Sequence, residues 1–188
     1  MSDLRDLLER IVPALQQAGV PFMIAGSFAS TAHGLPRATQ DLDIVIDPTG
    51  KSLAALLGLL APEVYYVDAD VARDAFRNQG VFNVIDHATG WKMDFIFRKD
   101  RPFSEQEFER RRPMTLLGVE VSMASAEDTV IAKLEWSKAG GGSERQRRDV
   151  AGMLATVGDD LDYAYIERWL NELDLSDEWE VAKQTQVA

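Results

Sequence analysis

The stretch Met23-Ile-Ala-Gly-Ser-Phe-Ala-Ser-Thr-Ala-His-Gly-Leu-Pro-Arg-Ala-Thr-Gln-Asp-Leu-Asp-Ile-Val-Ile46 decides the fold. An apolar run from Pro21 to Ala25 ends in Gly26-Ser27, and a small-residue segment from Ser27 to His33 follows. Gly34 and Pro36 break that segment, and Asp41-Leu42-Asp43 then leads an aliphatic run to Asp47. The order predicts strand, turn, helix, loop and strand, with Pro36 forcing an extended entry to the second strand. Side chains alternate along a strand, so Asp41 and Asp43 point one way while Leu42 and Ile44 point the other. Two carboxylates on one face repel, and either a divalent cation or a shared proton relieves that cost. The Gly26-Ser27 turn suits an anion: a helix start offers N–H groups and a positive dipole end, Gly lets the backbone approach, and Ser adds a donor.

Upstream, Leu4, Leu7, Leu8, Ile11, Val12 and Leu15 recur at helical spacing over Asp3 to Gln17, with Gly19 just beyond the end; this helix should lie on a sheet. Downstream, Thr49 to Leu60 reads as a helix capped by Thr49, Val64 to Val67 as an edge strand, and Asp68 to Asn78 as a mostly solvent-facing helix. Gly80 to Asp86 and Trp91 to Phe97 alternate and are joined by His87-Ala-Thr-Gly90, which predicts a hairpin. In its second arm Trp91, Met93, Phe95 and Phe97 share one face, and Lys92, Asp94, Ile96 and Arg98 the other. The pattern alone leaves Asp94 either facing solvent beside Lys92 or serving as a further carboxylate of a site. The basic stretch Arg98 to Arg112 contains a short helix from Ser104 to Arg110 with a Ser-x-x-Glu start. It reads as solvated surface balanced by Glu105, Glu107 and Glu109 rather than as a nucleic-acid contact. Met114 to Leu117 and Val119 to Met123, split by Gly118, read as a second hairpin.

From Ser125 the pattern becomes helical. Ser125-x-x-Asp128 opens a helix carrying Val130, Ile131 and Leu134, with Lys133 on a different face, and Ala139-Gly-Gly-Gly142 ends it. Ser143-x-x-Gln146 reads as a capping box for a helix from Glu144 to Val157. Another helix covers Asp162 to Leu173, and the acidic tail after Asp174 is expected to fray. Neither His33 nor His87 has a second His or a Cys at metal-ligand spacing, so they read as a packing or capping residue and an exposed one. Trp91, Trp136, Trp169 and Trp179 read as core or edge anchors rather than a base-stacking platform.

The 188 residues suffice for one substantial core, or a core with a small helical appendage, and 46% hydrophobic against 27% charged residues is an ordinary globular balance. No apolar run approaches a membrane span, and the N-terminal residues lack a basic and then apolar leader, so a cytoplasmic protein with no membrane association is expected. The absence of cysteine excludes disulfides, thiolate metal sites and cysteine nucleophiles. A net charge of −11 argues against a broad grip on duplex DNA or RNA, while leaving room for a local basic cleft.

Gly26-Ser27 after an apolar strand, then Asp41-Leu42-Asp43-Ile44, resembles the signature of the DNA polymerase β-like nucleotidyltransferase superfamily. Ala32-His33-Gly34 followed by Arg37-x-Thr39-x-Asp41-Leu42-Asp43 is similar to its small bacterial branch of abortive-infection and toxin–antitoxin nucleotidyltransferases. So is Ser125-Ala-Glu-Asp128 with Lys133-Leu134 and the downstream Arg147-Arg148-Asp149. Ala126 stands where that branch carries Pro, which touches a helix start rather than chemistry.

The resemblance implies an α/β (α+β) fold, a mixed sheet flanked by helices, with a nucleotidyltransferase core over 1–124 and a helical C-terminal region over 125–188 packed on it. It implies that Asp94, in Met93-Asp94-Phe95-Ile96, completes a triad with Asp41 and Asp43 holding two Mg²⁺ (or Mn²⁺) ions, with Asp94 also assisting deprotonation of the acceptor. Gly26 and Ser27 would hold the terminal phosphates of an NTP. Lys133 would meet the triphosphate as a point charge or else snorkel on a surface helix; Arg37 would do similar work or pair with a nearby carboxylate. Asp149 would anchor Arg148 or Lys133. The activity implied is transfer of NMP from an NTP to a hydroxyl of tRNA, a protein or a small molecule, with an antitoxin protein as a partner. The competing classes are a non-catalytic nucleotide-binding regulatory protein and a metal-dependent phosphoester hydrolase.

Overall fold

A computed structural model describes residues 2–186. The chain divides into two compact units, one of Met1–Ile24 with Gln40–Met123 and the other of Ala25–Thr39 with Ala124–Ala188.

The first unit holds a mixed seven-stranded sheet. Its strands are β1 (Phe22–Ile24), β2 (Asp41–Ile46), β3 (Tyr65–Val67), β4 (Val81–Asp86), β5 (Lys92–Phe97), β6 (Arg112–Leu116) and β7 (Val119–Met123), in the order β3-β4-β5-β2-β1-β7-β6. The β2/β5 and β1/β7 pairs run parallel and the others antiparallel. Period-two alternation sorts the central strands cleanly: Leu42, Ile44 and Ile46, Phe82 and Val84, and Met93, Phe95 and Phe97 are buried, while Asp41, Asp43, Asn83, Lys92 and Asp94 lie on the more open face. Phe82 stacks on Phe95 across β4 and β5, 5.0 Å between centroids.

Helix α1 (Ser2–Gln17) buries Leu4, Leu7, Leu8, Ile11, Val12 and Leu15 and packs on β7 and on α3 (Gly50–Leu59). Each of those side chains contributes roughly 1.5–3 kcal/mol relative to exposure, as an upper bound. Thr49 caps α3 in a complete capping box with Ser52. Helix α4 (Ala69–Asn78) is capped by Asp68, and α5 (Pro102–Glu109) starts two residues earlier than the Ser-x-x-Glu pattern predicts. Pro102 explains the shift, since its missing N–H and fixed φ favour the first helical position. Glu107, expected on a solvated surface, is instead buried; of the acids expected to balance the basic stretch, Glu105 lies 3.8 Å from Arg98, which also pairs with Asp47, not among those expected, at 3.0 Å.

In the second unit the described elements are helical: α2 (Gly26–His33), α6 (Ala126–Ala139), α7 (Glu144–Val157), α8 (Tyr163–Glu172) and α9 (Ser176–Gln184), with a 3₁₀ turn at Gly158–Asp160. Helix α2 packs on α6 and α7, and α9 on α6, α7 and α8. Two expectations fail here. Ser143 sits at the N-cap of α7 without a side-chain capping bond. The tail does not fray at Asp174: Leu175, Trp179 and Ala182 are buried as α9 docks, and Glu178 accepts two hydrogen bonds from Arg147, at 2.9 and 3.0 Å, and one from Ser137 at 2.6 Å. His33 meets the carbonyl of Ala124 at 2.9 Å through Nε2, a packing contact. Trp169 and Trp179 are core anchors, but Trp136 is 58% exposed.

Candidate active site

The chemistry-bearing residues of the first unit meet on β2, β5 and β4. Parallel pairing of β2 with β5 sets Asp43 directly opposite Asp94 and Asp41 opposite Lys92. Paired residues share a face, so the three aspartates stand together on the open side of the sheet. On the far side of β5 the antiparallel register places Asn83 opposite Asp94. Asn83 donates its side-chain amide to Asp94 Oδ1, while Lys92 Nζ lies 3.1 Å from Asp94 Oδ2 and 3.6 Å from Asp41 Oδ1. The hydrogen bond to Asp94 raises Lys92 above the ordinary lysine range against an opposing loss of solvation, and the charges of Asp94 and Asp41 add to the rise. Lys92 is therefore an ammonium held between two of the three acids.

Could these residues take a divalent metal? The donor set is right for a hard cation: carboxylate oxygens on adjacent strands, with a positive group already held among them. The rotamers do not form a ready ligand shell, and among the described residues no group of three or more His, Asp or Glu is arranged to hold a metal ion. Backbone placement fits the group; closing of the side chains would have to accompany binding.

In the second unit, Gly26 opens α2 with φ +57°, a left-handed conformation that suits glycine, and Ala25 at the N-cap supplies no side-chain bond. Ser27 is nearly buried on the first turn. Arg37 donates through Nη2 to Ser27 Oγ and through Nε to Asp149 Oδ1 at 3.0 Å. Lys133 donates to Asp149 Oδ2 at 2.7 Å, and Ser30 reaches the same oxygen at 3.5 Å. Lys133 thus does not lie on a surface face of α6: it is 4% exposed, and the Asp149 side chain 6%. A buried ammonium needs a compensating charge, and Asp149 serves Lys133 and Arg37 together. Of the two anchoring roles expected for Asp149, the one toward Lys133 is made; Arg148 pairs with Glu144 instead. The cluster sets Arg37 against Ser27 on the first turn of α2 and Asp149 among Arg37, Lys133 and Ser30.

Two residues of these clusters had no role in the sequence reading. Asn83 was legible in principle, because a hairpin with loop His87–Gly90 pairs Asp86 with Trp91 and so Asn83 with Asp94. Ser30 carries no such signal.

No family model matches the chain, and no curated protein matches it in sequence. Solved structures do match in shape. The antibiotic-resistance factor ANT(2'')-Ia in solution gives a TM-score of 0.58 at 12% identity, over 95% of this chain and 97% of that one. The crystal structure of ANT(2'')-Ia with adenylyl-2''-tobramycin gives 0.58 at 13%, over 89% and 97%. An antigenic nucleotidyltransferase-like protein from Paracoccidioides brasiliensis gives 0.56 at 15%, over 95% and 91%. The chain carries the polymerase β-like nucleotidyltransferase fold, a mixed sheet with helices, as the Gly-Ser and Asp-x-Asp stretch implied. At 12–15% identity the likeness is one of fold. Among the described residues no helix is long and apolar enough to cross a membrane.

Proposed function

We propose that this protein is a divalent-metal-dependent nucleotidyltransferase that moves NMP from an NTP to a hydroxyl acceptor. The observation that carries the reading is the parallel register in which Asp43 faces Asp94 with Asp41 on the same side, in a chain whose fold is that of nucleotidyltransferases. Asp41, Asp43 and Asp94 are the residues that would hold Mg²⁺ or Mn²⁺, and the bound ions would neutralise charge on the reacting phosphate and lower the pKa of the acceptor hydroxyl. Asp94 accepts the acceptor's proton as its oxygen bonds to the α-phosphorus and the bond to pyrophosphate breaks. Gly26 and Ser27 bind terminal phosphate oxygens, and Arg37 and Lys133 offset their charge, with Asp149 fixing both cations in place.

The acceptor is a hydroxyl of tRNA, of a protein or of a small molecule. The net charge of −11 favours a neutral or cationic acceptor over a polyanion. In the toxin-like reading the acceptor is macromolecular and an antitoxin protein is the partner. Incubating the protein with each α-labelled NTP, Mg²⁺ and, in turn, bulk tRNA, cell protein or tobramycin tests this, with Asp43→Asn as control. Label joined covalently to one acceptor is the expected result. Release of free phosphate or nucleoside without transfer would mark a hydrolase, and nucleotide binding without turnover a regulatory protein.

A further inference from the structure

Two of the three acids on β2 and β5 share a cation. Lys92 projects from β5 on their face, between Asp94 Oδ2 at 3.1 Å and Asp41 Oδ1 at 3.6 Å. Asp94 stands directly opposite Asp43 with Asp41 on the same face, so a positive charge beside Asp94 offsets part of a like-charge repulsion that weakens a sheet. The ammonium is a compact charge with three donors on a flexible four-carbon stem. Asp94 is occupied at both oxygens, by Asn83 at Oδ1 and by Lys92 at Oδ2. A divalent ion takes the same carboxylate oxygens, and like-charge repulsion keeps it from sharing them with an ammonium at that distance.

We propose that Lys92 is a tethered counter-ion of the carboxylate face: it holds Asp41 and Asp94 in the metal-free chain, and a divalent cation binds only by displacing it. The inference rests on the metal-dependent reading above and deepens it, since Lys92 then sets the metal affinity. The half-buried stem and the side chain's four torsions allow the head group to swing off the acids without moving β5.

The test is Mn²⁺ binding to the full chain without nucleotide, followed by electron paramagnetic resonance, for the native protein, Lys92→Met, Lys92→Arg and Asp43→Asn, with melting temperatures in EDTA and in saturating Mn²⁺. Lys92→Met is expected to bind Mn²⁺ about fivefold more tightly, the equivalent of losing one modest ion pair, and to melt lower than the native chain in EDTA, with the gap closing in Mn²⁺. Lys92→Arg keeps the charge and should stay near the native affinity. Equal or weaker Mn²⁺ binding by Lys92→Met, while Asp43→Asn still abolishes binding, overturns the counter-ion role and leaves the metal site standing. Failure of the native chain and of Lys92→Met alike to bind Mn²⁺ overturns the metal-dependent reading, and this inference with it.

Discussion

Asp43 and Asp94 are direct partners in the parallel pairing of β2 with β5, although 51 positions separate them in the chain. Such a pair is held by the sheet itself, so an amide in place of either carboxylate keeps the shape and changes the charge. Asp43→Asn and Asp94→Asn should each lower NMP transfer by about 10²–10³-fold. Because the acids act as one unit, the double variant should be little worse than the poorer single one. Circular dichroism checks the fold and labelled-NTP assays the rate; fully multiplicative losses would mean that the two acids act separately.

Asp149 carries the opposite burden in the helical unit, where one buried carboxylate satisfies both Lys133 and Arg37. Asp149→Ala removes the carboxylate that Lys133 and Arg37 share and should cost about 3–5 kcal/mol in urea unfolding. Adding Lys133→Met removes one of the two charges that Asp149 offsets, so the double variant should lose less than the sum of the singles. Simple additivity would show that Lys133 is not the group Asp149 supports.

Much of this was legible in the sequence for a physical reason: period-two and period-3.6 burial write themselves into residue type, so β2, the β4–β5 hairpin, α6 and α8 follow from alternation and caps, and α7 from its apolar spacing without the expected cap. What escaped depended on partners far along the chain. Lys133 looks like a surface lysine until Asp149 on α7 takes its charge. The acidic segment after Asp174 looks unstructured until Trp179 finds a core and Glu178 finds Arg147. Register, unlike alternation, needs the pairing strand, which is why Asp94 could be placed on a face but not opposite Asp43. Residues 25–39 leave the sheet-bearing unit between β1 and β2 and group with the helices, an arrangement that local periodicity does not encode.

Two glycines should respond with opposite signs to alanine. At Gly34 a Cβ would meet the carbonyl oxygen of Ser30 at 2.9 Å and the backbone nitrogen of Met153 at 3.0 Å, so α2 and α7 must part to admit it. Gly34→Ala should cost about 1–3 kcal/mol. Gly58 is exposed within α3 and a Cβ there meets nothing within 4 Å. Gly58→Ala should gain about 0.5–1 kcal/mol through helix propensity and a less flexible unfolded chain. Denaturant midpoints of the two variants give both answers, and a neutral Gly34→Ala would mean that the α2–α7 approach relaxes freely.

The pH dependence of the helical unit follows from α9. The hydrogen bond from Arg147 is the main reason Glu178 titrates below the ordinary glutamate range; burial opposes it, and Ser137 and the charges of Arg147 and Lys138 add to the lowering. Arg147 is shifted up by the same contact, so both partners favour the ionised pair. A carboxylate with a depressed folded pKa adds stability that is fully present above its unfolded value, near 4.3 for glutamate, and that drains away as pH falls through the lower folded value. The native chain should therefore exceed Glu178→Gln in stability by about 1–3 kcal/mol at pH 7. The gap should hold down to roughly pH 5 and narrow below it as the native carboxylate takes up a proton. Urea titrations of both proteins from pH 3 to 7 read it directly. A gap that stays constant to pH 3 would assign the effect of Glu178 to packing of α9 rather than to its charge.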